Sequence, residues 1–394
     1  MSSTQIYVLS AVRSAIGSFG GSLKDLPLSD LATTVSRAAL YRSGLAPEQI
    51  GHVVMGNVIP TEPRDAYLGR VAAMNAGIPK ETPAFNVNRL CGSGLQAIVS
   101  AAQSLMLGDT QAALAAGAES MSRSPFLLAQ ARWGMRMGDM QAVDYMLGIL
   151  KDPFEHFHMG VTAENVATAH GITRQMQDDL ALTSHRRAAR AMAEGRFAGQ
   201  IVPIELKTRK GVVQFSADEH VRADVSAEQL AGMKPVFKQD GSVTAGNASG
   251  LNDGAAGLVL ATGDLVHRHG LKPLARLVTY AHAGLEPHLM GLGPIPATRM
   301  ALQKAGLTVE DLDVIESNEA FAAQACAVAR ALDFDPQKVN PNGSGVSLGH
   351  PVGATGAIIA TKAIHELHRT QGRYALATMC IGGGQGIAVI FERT

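Results

Sequence analysis

Two distant stretches of the chain follow one plan, and that plan constrains the fold more than any other feature. In the first, Gly92 opens a segment with apolar residues at Leu95, Ile98, Val99, Ala102, Leu105 and Met106, Gly108-Asp109 closes it, and AALAAGAES follows. In the second, Gly356 opens an apolar segment, Gly372-Arg373 closes it, and YALATMC follows. The i, i+3, i+4, i+7 spacing is the apolar stripe of a helix, and the short uncharged run after it reads as a buried strand. VVMGN, ending at Asn57, parallels VIESN, ending at Asn318. Either this is coincidence in an Ala- and Gly-rich chain, or an α/β unit is duplicated and a site lies where the copies meet.

The flanking sequence favours an α/β sheet. IYVLSAVRS reads as a buried strand, DLATTVSRAALYRSG as a helix stopped by Gly44, and HVVMGNVIP as another strand. Such alternation puts helices on the faces of a sheet. Residues 121–245 break the pattern: they hold the only Trp and many Met, and read as irregular and then helical. That region is expected to be an insertion capping the α/β body, which resumes at NDGAAGLVLAT. The division expected is 1–120 with 246–270, an insertion at 121–245, and a second half at 271–394.

Composition narrows the function. With 34 basic and 34 acidic residues and 5% aromatics, the chain lacks the footprint of a nucleic-acid binder. The opening MSSTQIYVLSAVRSAIGSFG has no secretory apolar run, and no membrane-spanning stretch is expected, so the expectation is a cytoplasmic protein. Three widely spaced cysteines, Cys91, Cys326 and Cys380, give neither a disulfide framework nor a zinc site.

Single cysteines can still do chemistry. In NRLCGSG, Cys91 stands at a strand-to-helix junction, where the helix dipole favours thiolate. It is either an accessible nucleophile with its own N–H available to an oxyanion, or an inert buried thiol. His350, in GVSLGHPVGATG, is either a loop histidine of no special role or a base toward that thiol. TMCIGGGQG fails as a phosphate cradle, because strand-like sequence lies on both sides instead of a following helix. Its glycines suit a tight strand-to-strand turn that presents backbone N–H groups, with Cys380 as an acid/base candidate. Asn318, in NEAF, reads as a helix N-cap, and Cys326 as core packing. His156 and His158 lack a third ligand at useful spacing for a metal.

NRLCGSG, NEAF, GHPVGATG and CIGGGQG, together with GNASGLNDGAA at 246–256, resemble the thiolases, and the similarity runs from AVRSAIGSFGG to the last strand. The resemblance implies a thiolase fold: two duplicated α/β halves in a five-layered αβαβα arrangement with an inserted loop domain. It implies Cys91 as acyl-accepting nucleophile, His350 as its activator, Cys380 as the thiol that moves an α-proton, and Asn318 as the holder of a water that completes an oxyanion hole. The N–H groups of Cys91 and Gly382 would form a second hole. Coenzyme A contacts would come from Arg222, Ser249 and His158, with Ala245, Phe237, Leu150, Met159, Met290 and Phe321 as walls. Implied substrates are acetyl-CoA, acetoacetyl-CoA, other short 3-ketoacyl-CoA thioesters and CoA, with no permanently bound cofactor. The implied activity is acetyl-CoA C-acetyltransferase, a β-ketothiolase, with a degradative 3-ketoacyl-CoA thiolase as the alternative. RWGMRMGD resembles a tetramerisation loop and implies a homotetramer, a dimer of dimers. NPNGSGVSLGHP departs from the NVNGGAIAIGHP expected of bacterial biosynthetic members, so the pocket wall is expected to differ.

Overall fold

The computed structural model describes residues 4–209 and 211–394. Nine principal strands build one sheet: β1 Ile6–Arg13, β2 His52–Gly56, β3 Ala84–Val87, β4 Ala112–Ser120, β5 Asn252–Thr262, β6 Ala275–Gly284, β7 Val314–Ser317, β8 Tyr374–Ile381 and β9 Gln385–Arg393. Their order is β7-β8-β9-β6-β1-β5-β4-β2-β3, with the two-residue strand Gly17–Ser18 beside β5. The helices that organise it are α1 Leu28–Ser43, α2 Ser93–Leu107, α3 Met159–His170, α4 Arg174–Ala193, α5 Pro294–Ala305, α6 Ala322–Ala331 and α7 Val352–Thr370.

The duplication is visible in the strand order. The first half runs β2-β4-β5-β1 and the second β7-β8-β9-β6, each with one parallel pair followed by antiparallel ones. The halves join edge to edge where β1 pairs antiparallel with β6, Ile6 opposite Leu277 and Val8 opposite Ala275. Helices α2 and α7 pack on each other between strands of both halves, α1 covers β4 and β5 on one outer face, and α5 covers β6 and β9 on the other. These are the five layers. Because both faces of the sheet are covered, β4 and β5 are buried at every residue and show no alternation.

Two expectations change. An uncharged stretch long and apolar enough to cross a membrane does exist, Leu90–Leu107 with mean hydropathy 1.3. It becomes α2, packed in the central layer, so its apolarity is used by the core. Gly356 does not open the second helix, which begins at Val352. Gly356 instead lies where α7 crosses α2: a Cβ there would sit 2.2 Å from the Leu95 nitrogen, and one on Gly94 2.5 Å from the Ala357 nitrogen. Only glycine lets the two backbones approach this closely.

Between Ser120 and Asn252 the chain leaves two neighbouring strands and returns, building α3, α4 and a hairpin of Ile204–Thr208 with Gly211–Phe215. Arg13 ties this excursion to the sheet. Its guanidinium meets Asp218 at 2.8 and 2.9 Å and Gln200 Oε1 at 2.8 Å, all buried. Such a bidentate pair fixes geometry because a lone buried charge would be costly.

Candidate active site

A cavity of about 390 Å³ opens at the ends of β2, β7 and β8, roofed by the 121–245 excursion and the 246–250 loop. Cys91, His350 and Gly382 line it. So do all nine proposed coenzyme contacts: Arg222, Ser249, His158, Ala245, Phe237, Leu150, Met159, Met290 and Phe321. Asn318 and Cys380 do not reach the cavity wall and are fully buried.

Cys91 sits just before α2, in a turn whose preceding residue, Leu90, has φ 46°. A non-glycine residue in the left-handed region is strained and persists only where its surroundings fix it. Here Leu90 N–H donates to Asn88 Oδ1 at 2.9 Å, and Ser93 Oγ donates to the Leu90 carbonyl at 2.6 Å. The thiolate expected from the helix dipole is not favoured. The residue keeps some exposure, yet burial pushes its thiol up to about 11, against the opposing N–H groups of Gly382 and Cys91 itself. Desolvation of a charged sulfur outweighs the partial charge at a helix end.

His350 is held as a neutral base. Burial brings it down to about 4. Its N–H donates to Asn252 Oδ1 at 2.9 Å, and its Nδ1 lies 2.7 Å from Thr355 Oγ1. That hydroxyl donates to the Pro351 carbonyl at 2.9 Å, so it accepts from His350 Nδ1–H. The assignment leaves Nε2 as a lone pair, and Nε2 has no partner among the described residues.

The CIGGGQG run is a hairpin turn. Cys380 pairs with Gly386 and Ile381 with Gln385, leaving Gly382-Gly383-Gly384 as the connection, with φ of 81° at Gly383 and 82° at Gly384. Burial, and then the neighbouring Cys91, pushes the Cys380 thiol far up, so it rests protonated. Asn318 corrects the N-cap expectation, since the cap position of α6 belongs to Phe321. Both amide atoms of Asn318 are buried without a partner among the described residues. An orphaned buried polar group costs about 1–3 kcal/mol, and a hydrogen-bonding guest at this place would recover part of it. Glu319 turns inward instead, accepting from Ser184 Oγ at 2.6 Å and Asn340 Nδ2 at 2.9 Å. Cys326 packs inside α6 with its sulfur donating to the Met176 carbonyl at 3.5 Å.

Along the cavity, the His158 ring stacks on Phe237 with centroids 4.6 Å apart, and Phe237 meets Phe321 edge-on at 6.2 Å. His158 Nδ1 accepts from Gly160 N–H at 3.0 Å, capping α3. The 246–250 loop is laid against the second half: Ser249 N–H donates to the Ala320 carbonyl at 3.0 Å, and Ala322 N–H to the Asn247 carbonyl at 2.8 Å. Arg222 is exposed at the cavity and its N–H donates to His185 Nδ1 at 3.1 Å. The sequence reading missed His220, a wall residue near His185, and the buried Glu119 beneath the site. No spacing around either carried a signal.

Family models described as "Thiolase, N-terminal domain" and "Thiolase, C-terminal domain" match residues 6–264 and 271–393. The chain belongs to the thiolase family. Beta-ketothiolase BktB of Cupriavidus necator is 63% identical over 390 residues, covering 99% of each chain. Acetyl-CoA acetyltransferase of Escherichia coli is 48% identical, covering 98% of each. Human mitochondrial 3-ketoacyl-CoA thiolase in complex with CoA superimposes with a TM-score of 0.96 at 44% identity, covering 99% of this chain and 98% of that one.

Proposed function

We propose that the protein is an acetyl-CoA C-acetyltransferase, a β-ketothiolase that joins two acetyl-CoA, or acetyl-CoA and a short acyl-CoA, into a 3-ketoacyl-CoA and CoA. One observation carries this reading: a thiol, a neutral imidazole with a free Nε2 and a glycine-turn N–H share one cavity, with a second thiol buried behind it.

The chemistry closes on these groups. As Cys91 Sγ bonds to the thioester carbon, its proton passes to His350 Nε2, and the N–H groups of Cys91 and Gly382 hold the oxyanion. The carbon–sulfur bond of the substrate breaks, and the departing CoA thiolate takes the Cys380 proton. A second acetyl-CoA then gives its α-proton to the Cys380 thiolate. The enolate oxygen is held by protonated His350 and by a water carried on Asn318, and the α-carbon attacks acyl-Cys91. Collapse releases the Cys91 sulfur, which recovers its proton from His350. Each oxyanion donor contributes on the order of 3 kcal/mol. The high pKa values suit this course, because each thiolate exists only while a reacting group is present to use it.

We assign coenzyme A binding to the 121–245 excursion and the 246–250 loop, with Arg222 and Ser249 as polar contacts and the His158–Phe237–Phe321 rings beside the pantetheine. The human relative solved in complex with CoA supports CoA as the kind of ligand. Greater identity to the β-ketothiolase than to the human 3-ketoacyl-CoA thiolase favours short substrates over the degradative alternative. A dimer of dimers is part of the same reading, supported by Trp133 and Met137, each 90% exposed on the excursion. We also propose a cytoplasmic location, the apolar helix being used by the core.

The test is CoA-dependent loss of acetoacetyl-CoA absorbance, run beside 3-ketoacyl-CoA substrates of five to eight carbons. Turnover that survives Cys91→Ala sinks the reading. Faster turnover at eight carbons than at four would instead favour the degradative thiolase.

A further inference from the structure

The duplication gives each half the same two positions beside the cavity. In the second half, Ser317 of β7 stands opposite Thr378 of β8, Asn318 follows Ser317, and Cys380 lies two residues past Thr378. In the first half, Gly56 of β2 stands opposite Gly117 of β4, Asn57 follows Gly56, and Glu119 lies two residues past Gly117. Glu119 therefore occupies the counterpart of the Cys380 position, and Asn57 that of Asn318. The counterparts are used differently: the Asn318 amide is unpartnered, whereas Asn57 Nδ2 donates to Glu119 Oε1 at 2.9 Å.

We propose that Glu119 is a positioning residue, which clamps the His350 loop to the Cys91 side of the cavity. This rests on the thiolase reading of the site. The buried carboxyl accepts four N–H bonds. Oε1 takes those of Asn57 Nδ2 and Ile59, and Oε2 those of Val58 at 3.1 Å and Gly353 at 2.8 Å. Gly353 is the second residue of α7 and the third after His350, so a side chain of the first half caps the helix that carries the base. An anion at a helix N-terminus is stabilised by the exposed N–H groups there. Asn252 is the second anchor on this loop, and it also belongs to the first half.

Burial pushes Glu119 up to about 8, while its N–H donors pull the other way. All four partners donate, so their bonds are strongest to the carboxylate and the clamp tightens as pH rises through that value. Its charge raises the Cys91 thiol, and Asp253 on β5 is the acidic group that acts on Glu119. The other titratable groups at the nucleophile are Cys380 on β8 and His350 ahead of α7.

The test is Glu119→Gln in the full chain, the isostere of a neutral acid. The clamp requires kcat for acetoacetyl-CoA thiolysis to fall about tenfold or more with KM within twofold, as loss of base positioning does. Because Glu119 ionises through about 8, iodoacetamide should inactivate the variant at close to the wild-type rate at pH 7 and about threefold faster at pH 9. Unchanged kcat, or a loss of kcat with an unmoved alkylation profile, overturns the proposal. Should Glu119→Gln not fold by circular dichroism, Asn57→Ser removes one donor and keeps the charge. Its kcat must fall while its alkylation profile stays in place, and wild-type kcat overturns the clamp. A wild-type protein inactive in thiolysis, combined with the alkylation shift in Glu119→Gln, would reject the thiolase reading and leave the placement of Glu119 standing.

Discussion

Replacing Gly356 with alanine asks whether the helix crossing sets the distance between nucleophile and base. The added Cβ would lie 2.2 Å from the Leu95 nitrogen and 2.9 Å from the Gly94 carbonyl carbon, both backbone atoms that cannot swing aside. Ordinary contact begins near 3.4 Å, so α2 and α7 must separate by about 1 Å. Cys91 and His350 lie on the loops that immediately precede those two helices, so the separation passes to the reacting pair. A misplacement of about 1 Å costs on the order of 10²-fold in rate. Stability responds less. Overpacking costs roughly 1–3 kcal/mol, and alanine recovers about 1 kcal/mol over glycine in a helix interior. The expected variant has a Tm within a few degrees of wild type and about a hundredth of its kcat. Acetoacetyl-CoA thiolysis and a thermal melt by circular dichroism, read on the same preparation, decide the matter. A kcat within threefold of wild type at native Tm refutes the argument.

Three further outcomes follow from the site. Cys380→Ser should lose condensation by about 10³-fold, the scale of a lost acid/base group, while exchange of labelled CoA with acetyl-CoA falls less, because a CoA thiolate can leave unprotonated but an α-carbon needs a base; condensation at the wild-type rate would put Cys380 outside proton transfer. Iodoacetamide inactivation of the free enzyme should climb about tenfold per pH unit from pH 7 to 9, because the Cys91 thiol sits at about 11 and only its thiolate reacts. A plateau below pH 8 would mean a standing thiolate–imidazolium pair instead. Arg222→Ala should raise KM for CoA by about fivefold with kcat unchanged, and added salt should shrink the difference, as for an exposed charge contact; a kcat effect would move Arg222 into the chemistry.

The parts of the site that were legible in the sequence are those whose chemistry needs a rare residue in an open backbone. Cys91, His350 and Gly382 each stand beside glycines, and the hairpin at Gly382 followed from strand-like runs on both sides. The strand order of the two halves follows the paired segments, including Asn57 with Asn318. What could not be read depends on three-dimensional neighbours. The dipole argument for a Cys91 thiolate was local, whereas the desolvation that defeats it comes from both halves at once. Gly356 looked like a helix start, because a glycine required by another backbone is indistinguishable in sequence from one required by a turn. Asn318 fitted an N-cap, but the helix starts three residues later than the motif suggests, with Phe321 at the cap position. Glu119 ends a uniformly buried strand and announces nothing until Gly353 is brought to it.

The pairing of β1 bears on how the chain comes to be folded during synthesis. β1 lies in the middle of the sheet, and both strands that flank it, at residues 256–262 and 275–277, are synthesised long after it. At about 5–20 residues per second, β1 waits roughly 12–50 s for its first partner. Throughout that interval an eight-residue strand, buried at seven positions in the final structure, stands without a neighbouring strand of the sheet. The wait is the same whether translation ends in a monomer or a larger assembly. A nascent chain of this topology therefore depends on holding β1 soluble until the strands that flank it have been made.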